Sequence, residues 1–262
     1  MLVSPVRWVA AVCVIAALSG CSREAGLSAS PSATPAASTP ASATPAASGF
    51  VFTVAGVNPV TVNGSMDTHA QTPNADCDSA TFSRDKAVGD EVATGFAIAN
   101  FPVAAYLLRH FLSGDGTRVD YPAGSPISKQ ALVSSAFQAV NNEVQEAILV
   151  RLKAGAAHVQ LSAAQLPAVA FESKTSDLYW GFRGTQGLTV TGTGGRENGR
   201  YLGTLSYVIS DSYGFPADDT LAGFGPPMRY LQTVCGAPQH AGGAHWFPDT
   251  ITVTVPFRLS AG

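Results

Sequence analysis

Charged side chains are scarce in this chain of 262 residues, because only 13% are Asp, Glu, Lys or Arg, and the formal net charge is -3. A chain without a basic excess lacks the electrostatic footprint of a nucleic-acid-binding protein, so we expect no nucleic-acid partner. Catalytic signatures are also lacking, since no GxSxG, HExxH, P-loop or GxGxxG motif occurs. The sequence therefore predicts no cofactor and no metal site.

Long apolar runs are lacking as well, with one short exception near the N-terminus. Arg7 precedes the apolar run WVAAVCVIAAL at 8–18, which covers 11 residues and is too short to span a bilayer as a stable helix. A positive residue, a short apolar run and then small residues are typical of a secretory signal peptide. We predict that residues 1–20 form such a peptide.

The end of this run, Leu18-Ser19-Gly20-Cys21, resembles the lipobox of bacterial lipoproteins. The resemblance implies that Cys21 is acylated after removal of the signal peptide, so that the lipid bilayer is a partner and the protein is a lipid-anchored component of the cell envelope. Ser22 in place of an Asp implies the outer membrane, facing the periplasm, in a Gram-negative cell. An ordinary secretory peptide with an incidental cysteine is the alternative interpretation.

The segment that follows lacks charge and aromatic residues. Residues 27–48, LSASPSATPAASTPASATPAAS, contain one large apolar side chain and cannot bury enough surface to form a core. We predict a lipidated cysteine and disordered linker over 21–48 and an α+β globular domain over 49–262. The linker is either a selected spacer or a low-complexity tract without a selected length.

Cysteine is rare, with four residues in the chain. Cys13 lies in the predicted signal peptide and Cys21 in the predicted lipidation site, which leaves Cys77 and Cys235. In an oxidising compartment we expect these two to form one disulfide that closes a loop of more than 150 residues.

The domain is predicted to contain two helices followed by an antiparallel β-meander, within an α+β single domain. Helical spacing of apolar residues predicts helices at 102–112 and 128–154. Alternating or β-branched segments predict a strand or strand pair at 50–62 and further strands at 158–161, 177–182, 187–194, 200–210 and 249–257. The turn residues of GGRENGR at 194–200 predict a hairpin between the strands at 187–194 and 200–210.

Two groups of residues are candidate catalytic positions. His240 and His245 lie in the Gly-rich segment QHAGGAHWFPD, where a loop could bring both to a metal together with Asp249, although packing of the aromatic residues on the sheet is the simpler interpretation. Asp211 and Tyr213 end a predicted strand and precede further acidic residues, which favours acid/base chemistry or a structural turn.

The segment GTLSYVISDSY at 203–213 resembles the active segment of colicin M-like bacteriocins and of some polymorphic-toxin C-terminal domains. The resemblance implies an envelope hydrolase that cleaves lipid II, with Asp211 and Tyr213 as the positions that carry over. The sequence has Gly214 where that pattern has a second Asp. Thr220 and Leu221 stand where the pattern has His-Arg.

Three functions follow from these observations. We expect a non-catalytic binding or interaction domain with a protein or envelope-glycan partner, presented by exposed aromatic residues such as Tyr179, Trp180, Phe182 and Trp246. A degenerate toxin-like hydrolase is the second hypothesis, and an immunity or inhibitor lipoprotein is the third.

Overall fold

The computed structural model describes residues 50–59, 76–215, 223–236 and 243–260. Six strands lie in these ranges: β1 (Val51–Asn58), β2 (Val119–Tyr121), β3 (His158–Leu161), β4 (Gly187–Glu197), β5 (Arg200–Tyr213) and β6 (Phe247–Ser260). The α-helices are α1 (Ser79–Ile98), α2 (Pro102–Ser113), α3 (Pro126–Val133), α4 (Ser135–Lys153), α5 (Asp177–Phe182) and α6 (Gly225–Thr233), with a short 3-10 helix at Ala163–Gln165. None of the described helices is long and apolar enough to cross a bilayer.

All six strands form one mixed sheet in the order β2-β6-β5-β4-β1-β3. The pairs β1/β3 and β2/β6 are parallel, whereas β1/β4, β4/β5 and β5/β6 are antiparallel. The prediction of two helices followed by an antiparallel meander is therefore wrong, although the α+β class is right. The physical reason is that β1 enters the sheet before any described helix, and each parallel pair requires a long crossover connection that the helices supply.

One face of the sheet carries the core. Residues alternate between buried and exposed along β1, so that Phe52 and Val54 point into the core while Val51 and Val57 are exposed. Helix α4 packs on the buried face, where the Phe137 and Tyr207 rings meet edge to face at 5.1 Å. The Tyr207 hydroxyl donates to the Asn141 side-chain oxygen at 3.0 Å, which satisfies a polar group inside this contact.

Ser134 divides the helix that the sequence predicts over 128–154. Its backbone is extended (φ -69°, ψ 141°), so that α3 ends and α4 begins at this residue. The Ser134 hydroxyl accepts from the Phe137 N–H at 3.2 Å and donates to the Ala131 carbonyl at 2.8 Å. The apolar period continues through the break, and this is why periodicity alone predicted one helix.

The segment 177–182 is helix α5, so the predicted strand is wrong there. Ser176 accepts from the Leu178 N–H and caps this helix, which overrides the strand preference of its aromatic residues.

Helices α1 and α6 were not predicted. The helix expected at 102–112 is confirmed within one residue at its end, and the hairpin is confirmed with Asn198 and Gly199 at positive φ in its turn.

A disulfide joins Cys77 and Cys235, as expected, across a sequence separation of 158 residues. The two Cα atoms are 5.0 Å apart. The bond ties the segment before α1 to the end of α6, and the Tyr230 hydroxyl accepts from the Asp78 N–H at 2.9 Å beside it.

Candidate functional site

Two carboxyl groups face each other on the core side of the sheet. Asp211 on β5 is paired in register with Asp249 on β6, and both residues are buried, at 6% and 0% exposure. Cross-strand partners lie about 5 Å apart at their Cβ atoms, a distance at which like charges repel. We refer to Asp211 and Asp249 as the acid pair.

Burial controls the protonation of this pair. Loss of hydration raises the pKa of Asp211 to about 7, opposed by the backbone N–H groups of Ser212 and Gly184. Burial, and then the Asp211 charge, raise the pKa of Asp249 well above its usual range. The pair therefore retains a proton at a pH where exposed aspartates are ionised.

Polar atoms without partners cluster around the acid pair. In the described ranges, the buried side-chain atoms that lack a hydrogen-bond partner are the Tyr121 hydroxyl, one Asp177 oxygen and both Asp249 carboxyl oxygens. Burial, with the nearby charges of Asp249 and Asp177 contributing, raises the pKa of Tyr121. Such groups cost free energy when unpaired, so this cluster is a strained polar region inside the core.

The other candidate catalytic residues lie in different surroundings. Tyr213 is buried among aromatic rings, stacked on Phe247 at 5.4 Å and edge-on to Phe111 at 6.2 Å. The backbone N–H of His245 donates to the Phe111 carbonyl at 3.3 Å, just before β6 begins. His240, like Cys21 and the residues around Thr220, lies outside the described residues.

No group of three or more metal-ligating side chains converges within the described ranges. The Gly-rich approach to β6 is instead a close backbone contact, because a Cβ atom on Gly243 would lie 1.9 Å from the Cys235 carbonyl oxygen. Only glycine fits this position, and four residues later the Phe247 side chain is fully buried in the core.

The aromatic surface expected from Tyr179, Trp180, Phe182 and Trp246 is not formed. Phe182 is fully buried and Tyr179 nearly so, while Trp180 and Trp246 are half-buried. Trp180 packs at 5.3 Å from the Phe96 ring, and its indole N–H donates to the Lys174 carbonyl at 2.9 Å. Tyr179, Trp180 and Phe182 therefore pack within the helical layer, and the four aromatic residues do not form one exposed surface.

A cleft of about 710 Å³ opens beside the helices instead. Its walls come from residues 100–101 before α2, residues 134–136 at the start of α4, and residues 170–178 leading into α5. We name it the helix-start cleft, because three helices begin at its walls. Asp177 lines it, whereas neither member of the acid pair does.

Helix starts bring backbone N–H groups to the walls of this cleft. The first N–H groups of an α-helix have no partner within the helix, and those of Ser135 and Ala136 lie in the first turn of α4. At α2 the donor is taken, because the Asp177 carboxylate accepts from the Ala104 N–H at 2.9 Å. Burial raises the pKa of Asp177, and hydrogen bonds from the backbone N–H groups of Ala104 and Val103 oppose this rise.

Sequence reasoning named both members of the acid pair, but in separate candidate groups, and it missed the cleft. Asp211 was noted because it ends a strand, but its pairing with Asp249 depends on the β5/β6 register. The signals for the cleft were two serines, Ser134 and Ser176, each placed before a helix. Their convergence depends on tertiary packing and has no sequence signature.

Comparison of the chain with family models, curated proteins and solved structures finds no match.

Proposed function

We propose that the protein is a lipid-anchored lipoprotein of the cell envelope whose globular domain binds a ligand without catalysis. The lipobox-like residues Leu18–Cys21 support the anchor, and Ser22 in place of an Asp supports an outer-membrane location facing the periplasm in a Gram-negative cell. The disulfide between Cys77 and Cys235 fits a compartment outside the reducing cytosol.

The helix-start cleft is the observation that carries the binding function. Its volume of about 710 Å³ lies within the range of small-molecule sites, and its walls combine apolar side chains with a few convergent polar groups. Val133 also lines the cleft, and 78% of its surface is exposed.

Thermal unfolding tests this proposal on the full-length lipoprotein purified in detergent. Soluble glycan and peptide fragments released from envelopes by enzymatic digestion should raise its melting temperature, since a ligand that binds only the native state stabilises it. Ser135→Trp fills the cleft from an exposed position and should abolish the rise. Asn142→Trp, on the exposed side of the same helix, should retain it.

Absence of any rise, or an equal rise in both variants, would remove the cleft from the proposal. The anchor is tested separately by acylation of Cys21.

A hydrolytic function is the alternative, and the raised pKa of Asp211 favours it, because a general acid works best with a pKa near the ambient pH. Against it stands the burial of both carboxyl groups of the acid pair, which leaves no room for a substrate between them. Incubation of the lipoprotein with lipid II should therefore release no pyrophosphoryl disaccharide. Release that is lost in Asp211→Asn would establish the alternative.

A further inference from the structure

The face of the sheet opposite the core is exposed and uncharged over its centre. Strands β1, β4, β5 and β6 lie side by side, and their outward residues form three successive rows that start at Thr53, Ala55 and Val57 on β1. We refer to these rows as the outer sheet face. No Asp, Glu, Lys, Arg or His occurs in them. Exposed residues of the outer sheet face include Thr53, Ala55, Thr191, Thr193, Thr204 and Thr254.

The lack of charge distinguishes this face from an ordinary solvated surface. A sheet face that meets water normally carries polar and charged side chains of both signs. Here the exposed residues are mainly threonines, and Val57 at the margin exposes 59% of its surface. Depletion of charge is the compositional sign of the centre of a protein interface. The outer sheet face therefore has the composition of a surface that another protein covers.

The flat shape and the side chains of the outer sheet face favour a second copy of the same face as the partner. Two sheets pack face to face about 10 Å apart, with strand directions within about 30° of each other. A threonine hydroxyl both donates and accepts hydrogen bonds, and its methyl group packs against other methyl groups. A face rich in threonine is therefore complementary to itself, as a closed two-fold interface requires.

Charged residues at the two ends of this face fit the same symmetry. On β6, Arg258 and Thr250 each lie four residues from Thr254, and Asp120 on β2 is paired in register with Thr250. Arg258 makes no ion pair within the described part of the chain. The Asp120 side chain is bonded to Arg118 but remains 58% exposed. A two-fold axis across the strands at Thr254 places each Arg258 over Thr250 of the other copy, one strand from Asp120.

The area of the four strands is sufficient for a specific interface. They contain 8, 11, 14 and 14 residues. With about 4.8 Å between strands and about 3.3 Å per residue, they present roughly 700 Å² on each copy. Two copies would bury roughly 1,400 Å², which lies within the range of specific protein interfaces. Because few large apolar side chains contribute, we expect an affinity at the micromolar end of that range.

We propose that two copies of the protein pair through the outer sheet face, related by a two-fold axis that crosses the strands at Thr191 and Thr254. These two residues lie in one row, because Thr191 pairs with Ser206 and Ser206 pairs with Thr254. Each Thr191 then lies opposite its own copy. The dimer uses a surface other than the helix-start cleft, so it does not depend on the proposed function.

Sedimentation equilibrium of the full-length lipoprotein, in detergent matched in density by the buffer, tests this dimer. We expect the wild type to reach the mass of two chains. Thr191→Lys and Thr191→Glu should each be monomeric, since like charges meet at the axis, and an equimolar mixture of the two should restore the dimer. Asn142→Lys adds the same charge on the exposed side of α4 and should pair like the wild type. Chance sharing of a micelle would affect all of these proteins equally.

Arg258→Asp is a second variant, which places an acid beside Asp120 of the other copy and should weaken the dimer about tenfold. A monomeric wild type would overturn the proposal, and so would a Thr191→Lys dimer as tight as the wild-type one. Thr191 variants that stay monomeric when mixed, or an Arg258→Asp dimer of unchanged affinity, would overturn the axis. Restoration on mixing would also show that both Thr191 variants are folded, because an unfolded chain has no sheet face to pair.

Discussion

Asp249 is the residue whose environment is least favourable in the described structure. Both its carboxyl oxygens are buried without a hydrogen-bond partner, opposite a second carboxyl group. A protonated Asp249 can donate to Asp211, so one proton relieves the repulsion and gives a partner to one of the two unpaired oxygens. The folded protein therefore gains from retaining this proton.

Stability should consequently fall as the pH rises through the titration of the acid pair. A carboxyl group whose folded pKa lies above its unfolded value stabilises the fold most when protonated, so the loss begins near pH 4 and levels off above the folded pKa, which is about 7 for Asp211. We expect a loss on the order of 2–4 kcal/mol between pH 4 and pH 8, measured by urea unfolding.

Asp249→Asn should flatten this pH dependence. The asparagine amide donates to Asp211 at every pH and carries no charge, so the variant should be more stable than the wild type at pH 8. Glu143→Gln, at an exposed position on α4, is the matched control and should keep the wild-type slope. An Asp249→Asn curve parallel to the wild-type curve would show that Asp249 does not contribute to the pH dependence in this range, since Asp211 is still present in the variant.

At the scale of elements, Ser134 holds the junction of α3 and α4 that forms one wall of the cleft. Ser134→Ala removes the hydrogen bond to the Phe137 N–H and the one to the Ala131 carbonyl. We expect a loss of about 1 kcal/mol in the free energy of unfolding, together with weaker ligand binding in the cleft. Ser83→Ala, inside α1, should be neutral or slightly stabilising, because alanine is the better helix former there.

The outer edge of β6 is a second element with a testable role. In the described residues, β2 covers this edge only at Asp249–Ile251, which leaves the later part of a 14-residue strand without a strand on that side. Pro256 lies in that part, and a proline there offers no N–H to another chain. Pro256→Thr should increase self-association in sedimentation velocity, whereas Thr254→Ser should not. A monomeric Pro256→Thr variant would contradict this role.

Local signals determined some elements, and long-range packing decided the others. The hairpin of β4 and β5 was predictable because Asn198 and Gly199 favour a tight turn. Helix α5 was missed although Ser176 precedes it, since aromatic residues also favour strands. The position of β1 beside β3 and β4 depends on contacts across more than 100 residues, and no local pattern encodes it. The same applies to the acid pair and to the walls of the cleft.

For the whole molecule, the disulfide joins distant parts of the chain. Its loop of 158 residues restricts the unfolded chain strongly, so replacement of Cys77 and Cys235 by Ser should cost on the order of 4 kcal/mol. Chemical unfolding of the oxidised wild type and the double variant measures this difference. The wild type should show no free thiol from these two cysteines when alkylated without reductant, and two alkyl groups added there would contradict the bond.

The anchor is also a property of the whole molecule. If Cys21 is acylated, cells fed an alkyne-bearing fatty acid should label the wild type, and Cys21→Ser should lose both the label and its partition into detergent. Ser22→Ala should keep both, because the adjacent residue bears no lipid. Label retained in Cys21→Ser would place the acylation elsewhere.

Non-catalytic binding in the helix-start cleft is the central claim, and amide chemical-shift titration of the full-length lipoprotein in detergent tests it most directly. With soluble glycan and peptide fragments of the envelope added to saturation, the amides of Ser135, Ala136 and residues 170–178 should shift, and the fragments should be recovered with their masses unchanged. Shifts centred on Asp211 and Asp249 together with cleaved fragments would contradict the account, as would saturable binding that leaves the cleft amides unmoved.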